Sequence, residues 1–232
     1  MATIQETIDR IMRDSNSDQL KEMLMVDIIE SRQEAHLLLK YAHKQLNNDM
    51  AILFDICVRK PGLFFNVRIT HDMVRKYNLD LERLYYDAVE NTEIKYPATL
   101  RNVAEVMDGD VEPKEILDST DIMPNGNIFV LTSERNYRGA EALFYKGMLE
   151  RIGNIFMENY YVLPHSKEEV LIYPVSKDPD PRTIKNSLKF AQAAFGSIGE
   201  PLSDKLLMYD RGTGLLSEVI TLNRGIKIEM ER

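Results

Sequence analysis

Residues 127–175, NIFVLTSERNYRGAEALFYKGMLERIGNIFMENYYVLPHSKEEVLIYPV, read as strand, helix, strand, short polar turn and strand without interruption. The order constrains the fold more than any other stretch. In Ile128–Thr132, Tyr160–Leu163 and Val170–Val175, β-branched and aromatic residues gather in runs too short for helices. Between them, Phe144, Met148, Leu149, Ile152, Ile155 and Phe156 recur at helical spacing, while Glu141, Lys146, Glu150 and Arg151 point away from that stripe. One helix from Gly139 to Met157 is therefore predicted, packed on strands joined by short turns. The fold class is α+β with mostly antiparallel strands.

The rest of the chain extends this reading. Leu20, Met23, Leu24, Ile28, Ala35, Leu38, Leu39 and Ala42 recur at three- and four-residue steps, which predicts a helical N-terminal arm, interrupted once, ending near Asn47. From Ala51 the period becomes two, and Lys60-Pro61-Gly62-Leu63 supplies a turn before Phe65, Val67 and Ile69 alternate again, a β-hairpin. Thr70 suits the cap of a following helix. Leu79 to Asn91 continues helically, and a short helix is predicted over Thr99–Met107. Asp180-Pro181 opens another helix through Leu188, Phe190 and Ala194, with Gly196 and Gly199 at its end. Leu206–Tyr209 and Leu215–Ile220 flank Asp210-Arg211-Gly212-Thr213-Gly214 as a second hairpin.

Charge divides the sequence. The net charge is −8, and seven acids from Glu105 to Asp121 are opposed only by Lys114. With Gly109 and Pro113 inside it, 105–126 reads as a solvated acidic connector between residues 1–104 and 127–232. The single cysteine, Cys57, excludes an internal disulfide framework and suits a reducing compartment. An N-terminus carrying Glu6, Asp9 and Asp14 is unlike a signal peptide, and no run of about 18 uncharged apolar residues occurs, so a cytoplasmic protein with no membrane partner is expected.

Candidate chemistry is sparse. His165, Ser166, Glu168 and Glu169 form the densest polar group, in a turn between two apolar strands. They are the one candidate acid/base site, with His165, Glu168 and Glu169 as its catalytic groups. No G-x-S-x-G elbow accompanies Ser166, and adjacent glutamates on an extended backbone face opposite ways. A structural turn is the favoured reading. Arg135, Tyr137 and Arg138, with His165, Ser166 and Glu169, are the candidate binding surface. His36 and His43, seven apart on the predicted helix, are separated by about 10 Å of rise and do not match the four-residue zincin step. Asp108, Asp110 and Glu112 lack the glycine position of a calcium loop. Gly212-Thr213-Gly214 leads into a strand rather than a helix, unlike a phosphate cradle. No metal or cofactor is expected.

Arg59, Lys60, Arg68, Arg75 and Lys76 surround Phe64, Phe65 and Tyr77, the one pattern favouring nucleotide or nucleic-acid binding, but overall acidity opposes it. The acidic connector as a polyanion mimic is the reverse alternative. Cys57, between Ile56 and Val58, reads as a buried structural thiol. Tyr85-Tyr86 and Tyr160-Tyr161 divide between core packing and an interaction surface.

Val130-Leu131-Thr132, Gly139-Ala140, Tyr145, Leu163-Pro164, Ser166, Glu169-Val170 and Tyr209-Asp210-Arg211 together resemble an uncharacterised bacterial family, domain of unknown function 5688, found mainly in gut Firmicutes. The resemblance spans roughly residues 48–219; the arm before Asn48 looks divergent, without the family's early strands. It implies no assigned activity. It does imply a turn of the form Leu-Pro-Ser-Ser-Ile-His-Glu-Val, in which His165 here takes a serine-like slot and Glu168 the histidine slot. If a serine and histidine pair serves catalysis in the family, this chain has lost its geometry, which lowers a hydrolase reading. The sequence therefore favours a non-enzymatic binding or accessory protein, possessing an unidentified protein or small-molecule partner. A small-molecule-processing enzyme using the 165–169 turn is the alternative.

Overall fold

A computed structural model describes residues 4–13, 18–47, 49–60, 63–107, 115–117, 127–135, 138–164, 166–176, 183–184, 202–222 and 225–229. Contacts divide the chain into two compact units, Met1–Lys95 and Tyr96–Arg232.

The first unit begins with α1 (Ile4–Arg13) and α2 (Asp18–Met23), then enters β1 (Leu24–Glu30). The helix expected to run on through Ile28 is absent. Both faces of Leu24–Ile29 are buried except at Asp27, so the apolar run carries no face-selective period, and helix and strand are indistinguishable from spacing alone. What decides is the partner. Antiparallel β3 (Met50–Lys60) takes up β1 over seven residue pairs, from Leu24 opposite Ile56 to Glu30 opposite Met50. Only four residues, Ala35–Leu38, form α3. His43–Gln45 is β2, on the other edge of β3, where β4 (Leu63–Arg68) follows it.

β3 and β4 form the predicted hairpin; Pro61 and Gly62 of its turn lie outside the described residues. Thr70 caps α4 (His71–Tyr77) by accepting from the Met73 N–H at 3.1 Å, as its position predicts. α5 (Leu81–Lys95) buries Leu84, Ala88, Val89, Asn91 and Thr92. The Asn91 Nδ2 donates to the Leu24 carbonyl at 2.5 Å, and Thr92 Oγ1 accepts from the Val26 N–H at 3.1 Å, tying α5 to β1. Ile29, Ala51 and Leu53 pack under Leu37, Leu38 and Tyr41.

The second unit is a seven-stranded antiparallel sheet. Its strands are β5 (Ala98–Asn102), β6 (Phe129–Ser133), β7 (Tyr160–Leu163), β8 (Val170–Pro174), β9 (Leu207–Asp210), β10 (Leu215–Leu222) and β11 (Gly225–Glu229), in the order β11-β10-β9-β7-β8-β6-β5. The short helix predicted over Thr99–Met107 is instead edge strand β5 followed by α6 (Val103–Met107). Thr99 and Leu100 are β-formers, and all five residues of β5 find partners on β6.

The helix predicted from Gly139 to Met157 is two pieces. A 3-10 helix spans Gly139–Phe144, Tyr145 is extended, Gly147 adopts φ +72°, and α7 runs Met148–Phe156. Gly147 supplies the left-handed conformation that the break requires. The kink also carries Glu141 inward: it is 1% exposed, beside Arg138 at 3.6 Å, not on the solvated face that helical spacing assigned it. Strand alternation sorts the core. Phe129, Ile172, Val162, Tyr160 and Tyr209 share one face of the sheet, with Phe156 of α7 against Phe129 and Tyr160. Tyr161, Leu163, Tyr173, Leu206, Met208, Val219 and Ile184 form the cluster on the other. Most of the helix predicted from Asp180 lies outside the described residues, as does most of the acidic connector.

Candidate functional site

The turn after β7 is built for packing. Ser166, 1% exposed, accepts at Oγ from the Glu168 and Glu169 N–H groups at 3.1 and 3.2 Å, and its own N–H donates to the Glu169 carbonyl at 3.1 Å. The turn's carbonyls are occupied too. Lys167 O accepts from Ala140 N at 3.1 Å, and Glu168 O from Thr132 Oγ1 at 2.7 Å. Gly139 fits beneath with no space for a side chain: a Cβ there would collide with the Glu168 carbonyl and approach Thr132 Cα to 2.6 Å. This brings the Arg138-Gly139 corner and the turn together through backbone contacts. The Arg138 side chain turns toward buried Glu141, and the Arg135 guanidinium sits 6.0 Å from the Tyr96 ring. Tyr137 and His165 lie outside the described residues.

A cleft of about 980 Å³ opens elsewhere in the same unit, and none of Ser166–Glu169 lines it. One wall is the joint between the 3-10 helix and α7, bearing Lys146, Glu150 and Asn154; the facing wall is the β9–β10 turn, bearing Arg211. Tyr209 is the floor. Its ring, in a residue 3% exposed, stacks on Tyr160 with 5.0 Å between centroids and 29° between planes. Gly153 makes that seat possible, since a Cβ there would stand 2.9 Å from Tyr209 Cε1. The Tyr160 hydroxyl donates to the Leu149 carbonyl at 2.9 Å and fastens α7 over the sheet.

The β9–β10 turn is rigidly specified. Asp210 Oδ1 accepts from the Gly212 and Thr213 N–H groups at 2.8 and 3.0 Å, and Gly214, at φ +72°, donates its N–H to Asp210 O at 2.8 Å. Arg211 is oriented by two amides. Its N–H donates to Asn159 Oδ1 at 2.9 Å; its Nε and Nη2 donate to Asn154 Oδ1 at 3.4 and 3.3 Å. No carboxylate pairs with this guanidinium among the described residues, so its charge is steered without being neutralised. Lys146 and Glu150 are exposed and likewise make no ion pair among the described residues.

The Tyr209 hydroxyl donates to no described residue. Burial, reinforced by the Glu150 carboxylate and opposed by Arg211, pushes its pKa above the usual tyrosine value, so it stays a neutral donor at physiological pH. The cleft thus offers the Tyr209 hydroxyl, two cations and the Asn154 Nδ2, against the carboxylates of Glu150 and Glu158, the latter accepting from the Ser176 N–H and hydroxyl. The first unit presents a contrast. Its cleft of about 340 Å³ is lined by Lys21, Arg83 and Asp87, which are already paired: Lys21 with Asp87 and Glu90, Arg83 with Asp87.

The remaining candidate residues resolve individually. Arg68 lies between Asp55 at 2.9 Å and Asp27 at 2.5 Å, Arg75 pairs with Asp72, and Lys76 with Asp9. Lys60 and Phe64 side chains lie outside the described residues, and Phe65 and Cys57 are half-buried. His43 is on β2, not a helix; its ring meets His71 edge-on at 5.6 Å, and each ring faces a backbone carbonyl, of Tyr41 and Leu38. Among the described residues no group of three or more His, Cys, Asp or Glu could hold a metal ion, and no helix is long and apolar enough to cross a membrane.

Asn154 and Asn159 were missed from sequence because what brings them together is Arg211, 57 and 52 residues away. The one available signal was Tyr209-Asp210-Arg211 itself, which carried the family resemblance. Fold and cleft together define an α+β protein with an open, donor-rich recess on its second unit. The chain belongs to a family of unknown function, DUF5688, which it matches over residues 3–211. That match includes the N-terminal arm that looked divergent, and β1 is an early strand within it. No curated protein and no solved structure gives a significant match.

Proposed function

We propose that this is a non-enzymatic binding protein whose ligand occupies the cleft between α7 and the β9–β10 turn. The observation that carries this reading is the Tyr209 hydroxyl, held on the cleft floor by a buried, stacked ring and joined to no protein acceptor among the described residues. A hydroxyl that faces the cleft without a protein partner is left available to water or to a ligand. The commitment of Ser166 and of the 167–168 carbonyls to packing supports a structural purpose for the turn and weighs against acid/base catalysis there. The cellular setting is a cytoplasmic accessory factor of a bacterial system, a mobile element being the context that the family's expected distribution suggests.

Native mass spectrometry of the full chain purified from its host tests the reading, alongside Asn154→Trp, which places a bulky ring at an exposed cleft position, and Ser166→Ala. A retained ligand should be lost from the first variant and kept by the second. Retention by the Asn154→Trp protein, or chemical turnover of the ligand by the wild type, would reject it.

A further inference from the structure

Arg211 differs from an ordinary solvated cation in one respect: it is positioned but not neutralised among the described residues. Arg211 is aimed by Asn154 and Asn159, whose amide oxygens fix its direction and leave its charge intact. An aspartate in either place would orient the guanidinium equally well and cancel it. Arginine held in this way presents a planar fork of N–H donors matched to carboxylate or phosphate oxygens. Tyr209 adds a neutral O–H donor from the floor, and Lys146 an exposed cation at the wall. Two carboxylates also line the cleft: Glu158 accepts from the Ser176 N–H and hydroxyl at 2.7 and 2.6 Å, whereas Glu150 makes no hydrogen bond among the described residues and stands close enough to Tyr209 to act on its hydroxyl electrostatically.

We infer that the ligand is a small organic anion that binds through carboxylate or phosphate oxygens to the Arg211 guanidinium and the Tyr209 hydroxyl, and donates from a hydroxyl or ammonium group to Glu150. This rests on the cleft being the binding site. The volume admits a molecule larger than a bare oxyanion, in the range of ordinary small-molecule sites. Glu150 selects against that bare oxyanion: its carboxylate repels an anion that brings no donor and rewards one that does. Carboxylate and phosphate share the donor geometry, so the two sources are separated by experiment.

The full chain, isotopically labelled, is titrated with acetate, inorganic phosphate, glutamate, glucose 6-phosphate and the dication putrescine, while the Arg211 Nε–H and Tyr209 ring resonances are followed. Glutamate or glucose 6-phosphate should shift both resonances and bind about tenfold or more tightly than the matching simple anion, the difference one charge-assisted hydrogen bond makes. Whichever of the two prevails identifies the anionic group. Tyr209→Phe should weaken that binding about tenfold, and Glu150→Gln should erase the preference over acetate or phosphate without abolishing binding. Shifts produced by putrescine and by none of the anions would overturn the anion class while leaving the cleft as the site. Anion shifts confined to residues away from Arg211 and Tyr209 would overturn the cleft reading as well. No shift from any anion at up to about 50 mM, above the millimolar range of weak sites, would also overturn the inference.

Discussion

The ring of Tyr209 lies on that of Tyr160, 5.0 Å between centroids, and the two residues are direct partners across β7 and β9. The upper tyrosine serves the cleft and the lower one serves the fold. Tyr160 is fully buried, and burial followed by the influence of Tyr209 raises its pKa far above the usual tyrosine value. The folded state therefore keeps a proton that the unfolded chain releases above about pH 10, and stability must fall as pH rises through that point. In Tyr160→Phe the fall should be shallower by about 1.4 kcal/mol per pH unit. At pH 7 the same variant should lose about 1 kcal/mol with its hydrogen bond to Leu149. Urea unfolding at pH 7 and across pH 9–11 measures both effects.

Ser166 separates structure from binding. Alanine there leaves two backbone N–H groups in a buried turn without their acceptor, a loss of about 1–3 kcal/mol. Ligand affinity at the cleft should be unchanged when measured well below the unfolding transition. A selective loss of binding, at full occupancy of the folded state, would return the turn to consideration as a site.

Two glycines of the second unit should respond differently to the same change. Gly139→Ala forces a Cβ against backbone atoms of Glu168 and Thr132 that cannot yield cheaply, and should cost about 3 kcal/mol or more. Gly147→Ala meets open space and suffers only the strain of φ +72°, about 1 kcal/mol. Denaturant midpoints with unchanged slopes would give the two values directly.

In the first unit, Arg68 joins Asp55, 7% exposed, to Asp27 across β4, β3 and β1. Those two carboxylates hold the guanidinium firmly protonated, their attraction outweighing the cost of burial. Arg68→Met leaves two acids facing each other and should destabilise by about 2–4 kcal/mol, less than for a fully buried pair because Arg68 is partly solvated. Adding Asp27→Asn and Asp55→Asn should recover much of the loss, and the interaction energy of the combined cycle measures the coupling.

The sequence alone determined the elements whose ends are marked by turn and cap residues. The hairpin at Met50–Arg68, the Thr70 cap, the strands Tyr160–Leu163 and Val170–Pro174 and the hairpin around Asp210 each alternate or terminate in ways that backbone chemistry dictates locally. Leu24–Glu30 had no such signature, because it follows α2 directly with no turn residue between them and is apolar on both faces, and β3 decided the matter by pairing with it. The break at Tyr145–Gly147 was also hidden: apolar spacing continues across it, and only a left-handed glycine and a tyrosine bonded to the Tyr96 carbonyl reveal that the helix stops and restarts. The candidate site belongs wholly to tertiary structure. Asn154, Asn159, Tyr209 and Arg211 are ordinary residues in sequence, and they become a directed, unneutralised set of donors because β9 lies beside β7 and α7 is fastened above both.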